Sequence, residues 1–350
     1  MATLEELGGW PSVLGPLSAG DSLTATQARA AMAEILAGDA TPAQIAAFAV
    51  ALRIKGETVD EMSGLVSAML DFADPVPLSA DTAAAVIDTC GTGGDRSGSI
   101  NVSTIAAFVA AGAGARVCKH GNRAASSKAG SADVLEALGV VIDLGPEAVA
   151  RCVEEARMGF CFAARFHAAL RHAVPVRREL GIPTVFNFLG PLANPARVRR
   201  QVVGVSDPRM AEKVLGVLQA NGAHHALVVY GHDGLDELTT ADTSTVHELR
   251  DGDVRTYVVD PVELGLGGAT RTDLLGGDAA TNAAVARSVL DGNRGPHRDI
   301  VVLNAAAALV AAGTSDDLVD GIASAEASID GGHAAAVLDA LVRVSGAAAA

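Results

Sequence analysis

Charge is scarce in this sequence: charged residues are 19% of the chain against 49% hydrophobic, where about 25% charged is usual. Lysine is scarcest, with four in 350 residues, and the formal net charge is −15. A surface this acidic excludes broad binding to nucleic acid or to anionic membranes, which needs a basic field. Cysteine is also sparse. The four present, Cys90, Cys118, Cys152 and Cys161, show no CxxC spacing, which excludes a disulfide framework and points to reduced thiols. No HxxxH or His/Cys cluster offers zinc-like spacing, and no G-x-S-x-G elbow is present. No apolar run approaches the ~18 to 20 residues of a membrane span. The opening "MATLEELGGW" lacks the charged-then-apolar order of a signal peptide. A cytoplasmic protein with no membrane partner is expected.

What is present divides by grammar. Residues 1–75 predict a small α-helical domain: "TATQARAAMAEILAGDA" has Thr24 or Thr26 as caps and Gly38 as a stop, and "TPAQIAAFAVALRIKGE" has a Thr cap and Pro42 in its first turn. From about residue 80 to 350, short apolar runs alternate with loops and helical patterns. That alternation predicts a larger α/β domain around a mostly parallel sheet. "AAAVIDTC" and "ARVCKHG" are its first strands, and the runs at 159–164, 200–206, 224–231 and 299–313 are later candidates. "HELRDGDVRTYVVDPVELGL" predicts a hairpin turning at "DG". A proline-punctuated segment with a short helix at 175–181 predicts a crossing between domains, so part of 165–195 is expected to complete the helical unit.

Three loops carry candidate chemistry. "GTGGD", between a strand and a helix, has the makings of an anion site, because glycines let backbone amides approach phosphate oxygens and the helix dipole favours negative charge. It is neither a Walker A sequence nor a clean GxGxxG, and an ordinary tight turn is the alternative. One strand later, "KHGNRAASS" offers Lys119 and Arg123 as cations with Asn122, Ser126 and Ser127 as neutral partners. Both loops leave carboxyl ends of strands, the ligand-binding edge of open α/β sheets, and two phosphate-type loops suggest a ligand with two phosphate groups. In "GLDELTT", Asp236 and Glu237 are adjacent hard ligands suited to Mg²⁺ that shares its coordination with phosphates. Alone, such a pair is usually solvated surface. Local cation enrichment at 116–128 and 165–178, on an acidic chain, points to a small anionic ligand.

In this order and spacing, "DTCGTGGD", "NVST", "KHGNRAASSKAGSADVLEALG", "VRRELGIPTVFNFLGPLANP" and "GLDELT" resemble the anthranilate phosphoribosyltransferase family of tryptophan biosynthesis over nearly the whole chain. The resemblance implies a small helical domain plus a larger α/β domain of nucleoside phosphorylase type, and a homodimer through the helical domain. Its substrates would be phosphoribosyl pyrophosphate (PRPP) and anthranilate, with Mg²⁺ as cofactor. It implies PRPP contacts from Gly91, Gly94, Asp95, Ser99, Asn101, Val102, Ser103 and Thr104. The second loop would add Lys119, His120, Gly121, Asn122, Arg123, Ala124, Ala125, Ser126 and Ser127, with Ser131 at the next helix start. It implies anthranilate contacts from Gly91, Asn122 and Arg177, with His120 and His167 lining the aromatic pocket, and Mg²⁺ ligation by Ser103, Asp236 and Glu237. The chemistry, displacement of pyrophosphate from ribose C1 by an amine that is neutral at pH 7, demands charge stabilisation and alignment, so no acid or base residue is assigned.

Three residues depart from the family pattern: Arg96 after "GTGGD", and Ala164 and Ala168 where prolines are usual. Two other classes compete. A nucleoside phosphorylase is disfavoured by the Asp236–Glu237 pair and by Arg177 as a carboxylate partner. A catalytically silent nucleic-acid binder is disfavoured by the acidic charge.

Overall fold

The computed structural model describes residues 2–124 and 128–349. Four helices open the chain: α1 (Pro11–Ala19), α2 (Ala25–Ala37), α3 (Pro42–Lys55) and α4 (Val59–Phe72). Thr24, Thr41 and Thr58 each close a capping box with the Gln or Glu three residues on, satisfying first-turn amides that would otherwise be unpaired. Glu61 of the third box is fully buried. It also accepts from the Leu23 amide at 2.8 Å and from Lys55 Nζ at 2.9 Å, so a single carboxylate pins three helix ends.

Alternation follows: α5 (Ala80–Ala85), β1 (Ile87–Gly91), α6 (Val102–Gly112), β2 (Val117–Gly121), α7 (Ser131–Ala137), α8 (Pro146–Ala156) and β3 (Met158–Phe162). Short helices α9 (Ala163–Phe166), α10 (Val174–Leu180) and α11 (Phe186–Leu189) fill the proline-rich segment. Then come β4 (Arg200–Gly204), α12 (Ala211–Ala220), β5 (His225–Gly231), β6 (Ser244–Arg250), β7 (Asp253–Val259), α13 (Ala279–Leu290), α14 (Pro296–Ala312), α15 (Leu318–Asp330) and α16 (His333–Ala349).

The strands form one sheet in the order β3-β2-β1-β4-β5-β6-β7, parallel from β3 through β5 and antiparallel at β6 and β7. The β6–β7 hairpin turns on Asp251 and Gly252, both at positive φ (50° and 95°), as a type I′ turn requires. The order changes direction between β1 and β4, the switch point at which open α/β sheets bind ligands beyond their carboxyl ends.

One sequence expectation is corrected. The run 299–313 supplies no strand: it lies in α14 up to Ala312, with Gly313 as the left-handed cap, and is buried along nearly its whole length between α6 and the sheet. An apolar stretch of this kind shows no strand or helix period, and only its length separates the two.

Two apolar clusters cover the sheet. One, containing α6, α8, α14 and α16, packs on one face. The other joins α1–α4 to α10, α11 and α12 and to the opposite side chains of the strands, including Val203, Ala226, Val228 and Leu249. No helix among the described residues is long and apolar enough to cross a membrane.

Candidate active site

The glycine-rich segment 92–101 leaves β1 at the switch point and leads into α6. It is fastened on three sides. The Gly93 amide donates to Asp236 Oδ2 at 2.7 Å, the Gly93 carbonyl accepts from Ser206 Oγ at 2.9 Å, and the Thr92 amide donates to the Gly204 carbonyl at 2.9 Å. Its far end pairs with the segment before α13: the Ile100 amide donates to Leu274 and the Gly276 amide to Gly98, with a bridge between Ser99 and Leu275. Gly94 (φ 84°) is exposed, and Arg96 holds a left-handed φ of 55°. Val102 and Thr104 are buried in the first turn of α6, while Ser99 Oγ accepts from Ser97 Oγ at 3.0 Å.

The loop after β5 brings the acidic pair onto this segment. Asp236 crosses the ends of β1 and β4 so closely that a Cβ on Gly204 would lie 1.6 Å from the Asp236 carbonyl oxygen, and one on Gly91 2.4 Å from Asp236 Oδ2. Glu237 Oε1 accepts from the Ser103 amide at 3.2 Å, so this carboxylate caps α6. Burial first, then the charge of Asp95, raises Asp236 to about 7. Burial and the charge of Asp236 raise Glu237 to about 8, with Lys119 opposing. The carboxylates are short of positive charge. Among the described residues no three His, Cys, Asp or Glu side chains converge as a ready-made metal cage. A mutually repelling carboxylate pair beside Ser103 Oγ, Asp236 buried and Glu237 half-buried, suits an ion such as Mg²⁺, which takes one or two carboxylates and completes its shell with water and ligand phosphates.

Lys119 is placed differently from a loop cation meeting solvent. It is 1% exposed, donates to the Thr89 carbonyl and reaches Ser103 Oγ at 3.3 Å. Its charge therefore acts from beneath the carboxylates. Arg123 is also engaged, with Asp133 at 3.0 Å and with Glu136, and its guanidinium lies over the Phe162 ring. Asp133 in turn accepts from the Ala124 and Gly130 amides, both at 2.9 Å, tying together the ends of the 122–130 loop. Asn122 is exposed and its carbonyl accepts from Ser131 Oγ at 3.3 Å; a Cβ on Gly121 would meet that hydroxyl at 2.2 Å. Ala125, Ser126 and Ser127 lie outside the described residues. Arg116 turns away to Glu154 and Arg165 to Asp143, so the basic runs do not form one patch.

A second wall is built by the segment from α11 to Ala193. His120 Nδ1 lies 3.0 Å from the Gly190 carbonyl and His167 Nε2 2.9 Å from the Ala193 carbonyl, so each ring donates from that nitrogen. The rings meet edge to face, with centroids 5.1 Å apart. Burial, then the neighbouring His167, lowers His120 to about 3, and burial also lowers His167. Both are neutral at physiological pH, and His120 Nε2 is a buried acceptor with no partner among the described residues. Arg177, on α10, sits over the Phe186 ring with its guanidinium 5.7 Å from the centroid. Among the described residues it has no carboxylate partner, and burial lowers its basicity.

The motifs left three contributors unassigned. Asp88, fully buried on β1, accepts from the His120 amide (3.1 Å) and from Asn194 Nδ2 (2.8 Å), joining β1, β2 and the second wall. Asn194 was visible in "GPLANP", but nothing there named its partner. Asn282 reaches the site from α13, outside every motif. A cleft of about 400 Å³ between α6, α8 and α16 opens at the other end of the sheet and brings none of these groups together.

With this geometry in place, the comparisons are specific. Residues 83–335 match the model of the glycosyl transferase family, a/b domain, and residues 11–73 that of its helical bundle domain. The chain is 55% identical to the anthranilate phosphoribosyltransferase of Rhodococcus jostii (strain RHA1), over 94% of this chain and 91% of the relative. It is 55% identical to that of Arthrobacter sp. (strain FB24), over 96% of each. Among solved structures, anthranilate phosphoribosyltransferase from Thermus thermophilus superposes with a TM-score of 0.90 at 41% identity, covering 95% of this chain and 99% of that one. The Saccharomyces cerevisiae enzyme in complex with PRPP and Mg superposes with 0.86 at 27% identity, covering 97% and 98%. The helical unit and the mixed sheet thus coincide with one known architecture, and the chain belongs to the anthranilate phosphoribosyltransferase family, enzymes that transfer the phosphoribosyl group of PRPP to anthranilate in tryptophan biosynthesis.

Proposed function

We propose that the switch-point edge of the sheet holds PRPP between segments 91–104 and 119–131, with anthranilate against the second wall. The observation that carries this reading is Asp236, buried on the Gly93 amide, and Glu237, half-buried on the Ser103 amide, with too little positive charge to balance them. Asp236, Glu237 and Ser103 Oγ would hold Mg²⁺, which when bound neutralises the charge that builds on the departing pyrophosphate. Gly91, Gly94, Asp95, Ser99, Asn101 and the first turn of α6 contact the diphosphate and ribose, and the helix dipole favours the anion there. Lys119 supports this field from below the helix. His120, Gly121, Asn122, Ala124 and Ser131 shape the second phosphate-facing segment. Arg123 joins it by exchanging Asp133 and Glu136 for phosphate oxygens, a trade between anionic partners of similar kind.

Arg177 takes the anthranilate carboxylate, because a half-buried guanidinium with no anionic partner among the described residues is the best available partner for one. Gly91 and Asn122 bound the same ligand, and neutral His120 and His167 line its ring. The amine attacks ribose C1 as the bond to pyrophosphate breaks. The residues orient and stabilise; none is assigned as acid or base. We place the molecular boundary between a helical unit at 1–75 and an α/β unit at 80–350. We also place the enzyme in the cytoplasm, in keeping with its four free, buried cysteines. A homodimer through the helical unit is supported by Ile54 and Phe72, apolar residues exposed on α3 and α4.

The test is loss of anthranilate fluorescence with PRPP and Mg²⁺, with and without EDTA. Consumption that stops on chelation is expected. Folded protein that leaves anthranilate untouched in every condition overturns the proposal.

A further inference from the structure

We infer that Asn282 is a positioning residue, a strut on α13 that sets the distance between the two phosphate-facing segments. The inference rests on the proposed PRPP site. Asn282 is 2% exposed. Its Oδ1 accepts from the Gly277 amide at 2.7 Å, its Nδ2 donates to Asn101 Oδ1 at 2.8 Å, and Asn101 Nδ2 donates to the Ala129 carbonyl at 3.2 Å. The row begins at a backbone donor and ends at a backbone acceptor. Neither amide can therefore be turned over without setting oxygen against oxygen or donor against donor.

Asn101 stands at the N-cap of α6, where an Asn side chain ordinarily accepts from the first-turn amides. Here it makes no such bond. Its amide is used sideways, toward Asn282 and Ala129, while the Ser103 amide is served by Glu237. The Asn101 side chain is thereby committed to the link between the two segments instead of to the cap of α6, and the segments are tied at a fixed separation. Gly276 shares in the fit, since a Cβ there would lie 2.5 Å from Asn282 Oδ1. Asn282 touches no substrate in this scheme. It acts through Asn101 and Ala129, on the PRPP side of the site and away from Arg177.

The experiment measures KM for both substrates, and thermal stability, in Asn282→Ala, Asn282→Asp, Asn101→Ala and the Asn101→Ala/Asn282→Ala double variant. Asn282→Asp keeps the shape but sets a carboxylate oxygen against Asn101 Oδ1. Loss of these buried hydrogen bonds predicts a rise of about tenfold in KM for PRPP, with KM for anthranilate held within about twofold and the double variant no worse than Asn101→Ala, as expected of residues acting as one unit. Multiplied losses in the double variant, an equal rise in both KM values, or an unchanged KM for PRPP in folded Asn282→Asp overturns the strut. Should Asn282→Ala and Asn282→Asp not fold, the milder Asn282→Ser, whose hydroxyl is too short to reach both Gly277 and Asn101, must give the same selective rise. The unaltered enzyme separates the two ideas: if it consumes no PRPP, the PRPP reading fails. If it does, the variants judge the strut alone.

Discussion

The carbonyl oxygen of Asp236 lies where the Cβ of any residue other than glycine at position 204 would have to be, at a separation of 1.6 Å. The placement of the acidic pair is thus dictated by an absent side chain on the neighbouring strand. Gly204→Ala is expected to push the 232–243 loop off the end of β4. Crowding of this kind costs about 1–3 kcal/mol, and a shift of about 1 Å at Asp236 costs roughly 100-fold in turnover. Steady-state kinetics and thermal melts of the variant check both. A variant with native activity would mean that the loop can yield without moving its carboxylates.

The acidic pair also predicts how stability depends on pH. Asp236 and Glu237 titrate at about 7 and about 8 in the fold, above the ordinary values of 3.8 and 4.5. The folded protein therefore holds more protons than the unfolded chain between those limits, and stability falls as pH rises through them. Without divalent metal, the melting temperature should decline from about pH 6.5, above which the buried neutral His120 and His167 add no further pH dependence, toward pH 9. Added Mg²⁺ should restore more of it at pH 8.5 than at pH 6, because the cation competes with protons for the same oxygens. Melts with EDTA or Mg²⁺ across that range test it; a Mg²⁺ effect independent of pH contradicts it.

Arg177 separates the two substrates. Removal of a charge-assisted bond costs about 1.5–3 kcal/mol, so Arg177→Ala should raise KM for anthranilate by roughly 10- to 100-fold. KM for PRPP should change little, since Arg177 packs on Phe186 and not on the glycine-rich segment. Equal loss for both substrates would assign the guanidinium elsewhere.

Arg96 carries conformational strain that glycine would not. At φ 55° an L-residue costs about 1–2 kcal/mol relative to its preferred backbone, part of which is offset by the greater freedom of glycine when unfolded. Arg96→Gly is expected to raise stability by about 0.5–1 kcal/mol, read from denaturant unfolding. A decrease would show that its guanidinium makes a compensating interaction.

Much of this was legible beforehand, for local reasons. β1, β2, β4 and β5 are short apolar runs stopped by glycine or polar loops, and "DG" marked the hairpin. Helix α14 was not, because a helix buried on all sides has lost the periodic polar face that identifies one. At the site, the glycine-rich turn, the cationic loop and the acidic pair announced residue types, but not their pairing. Lys119 gave no sign that it would lie beneath α6, nor Arg123 that it would meet Asp133 and Glu136. Asn282 was invisible for a further reason: it reaches the site from 181 residues along the chain from Asn101, and a lone Asn in "TNAA" has no signature.

The apolar cluster that starts at Leu4 does not stop at the end of α4. It passes through α12, on which α4 packs, to the inner side chains of β4, β5 and β6. A cut between residues 75 and 80 would therefore strip two surfaces at once, leaving the bundle with an oily flank and the sheet with one bare side. The boundary visible in the sequence marks where the chain changes its style of folding. The two halves are expected to melt in a single cooperative event, and neither to persist as a soluble fragment.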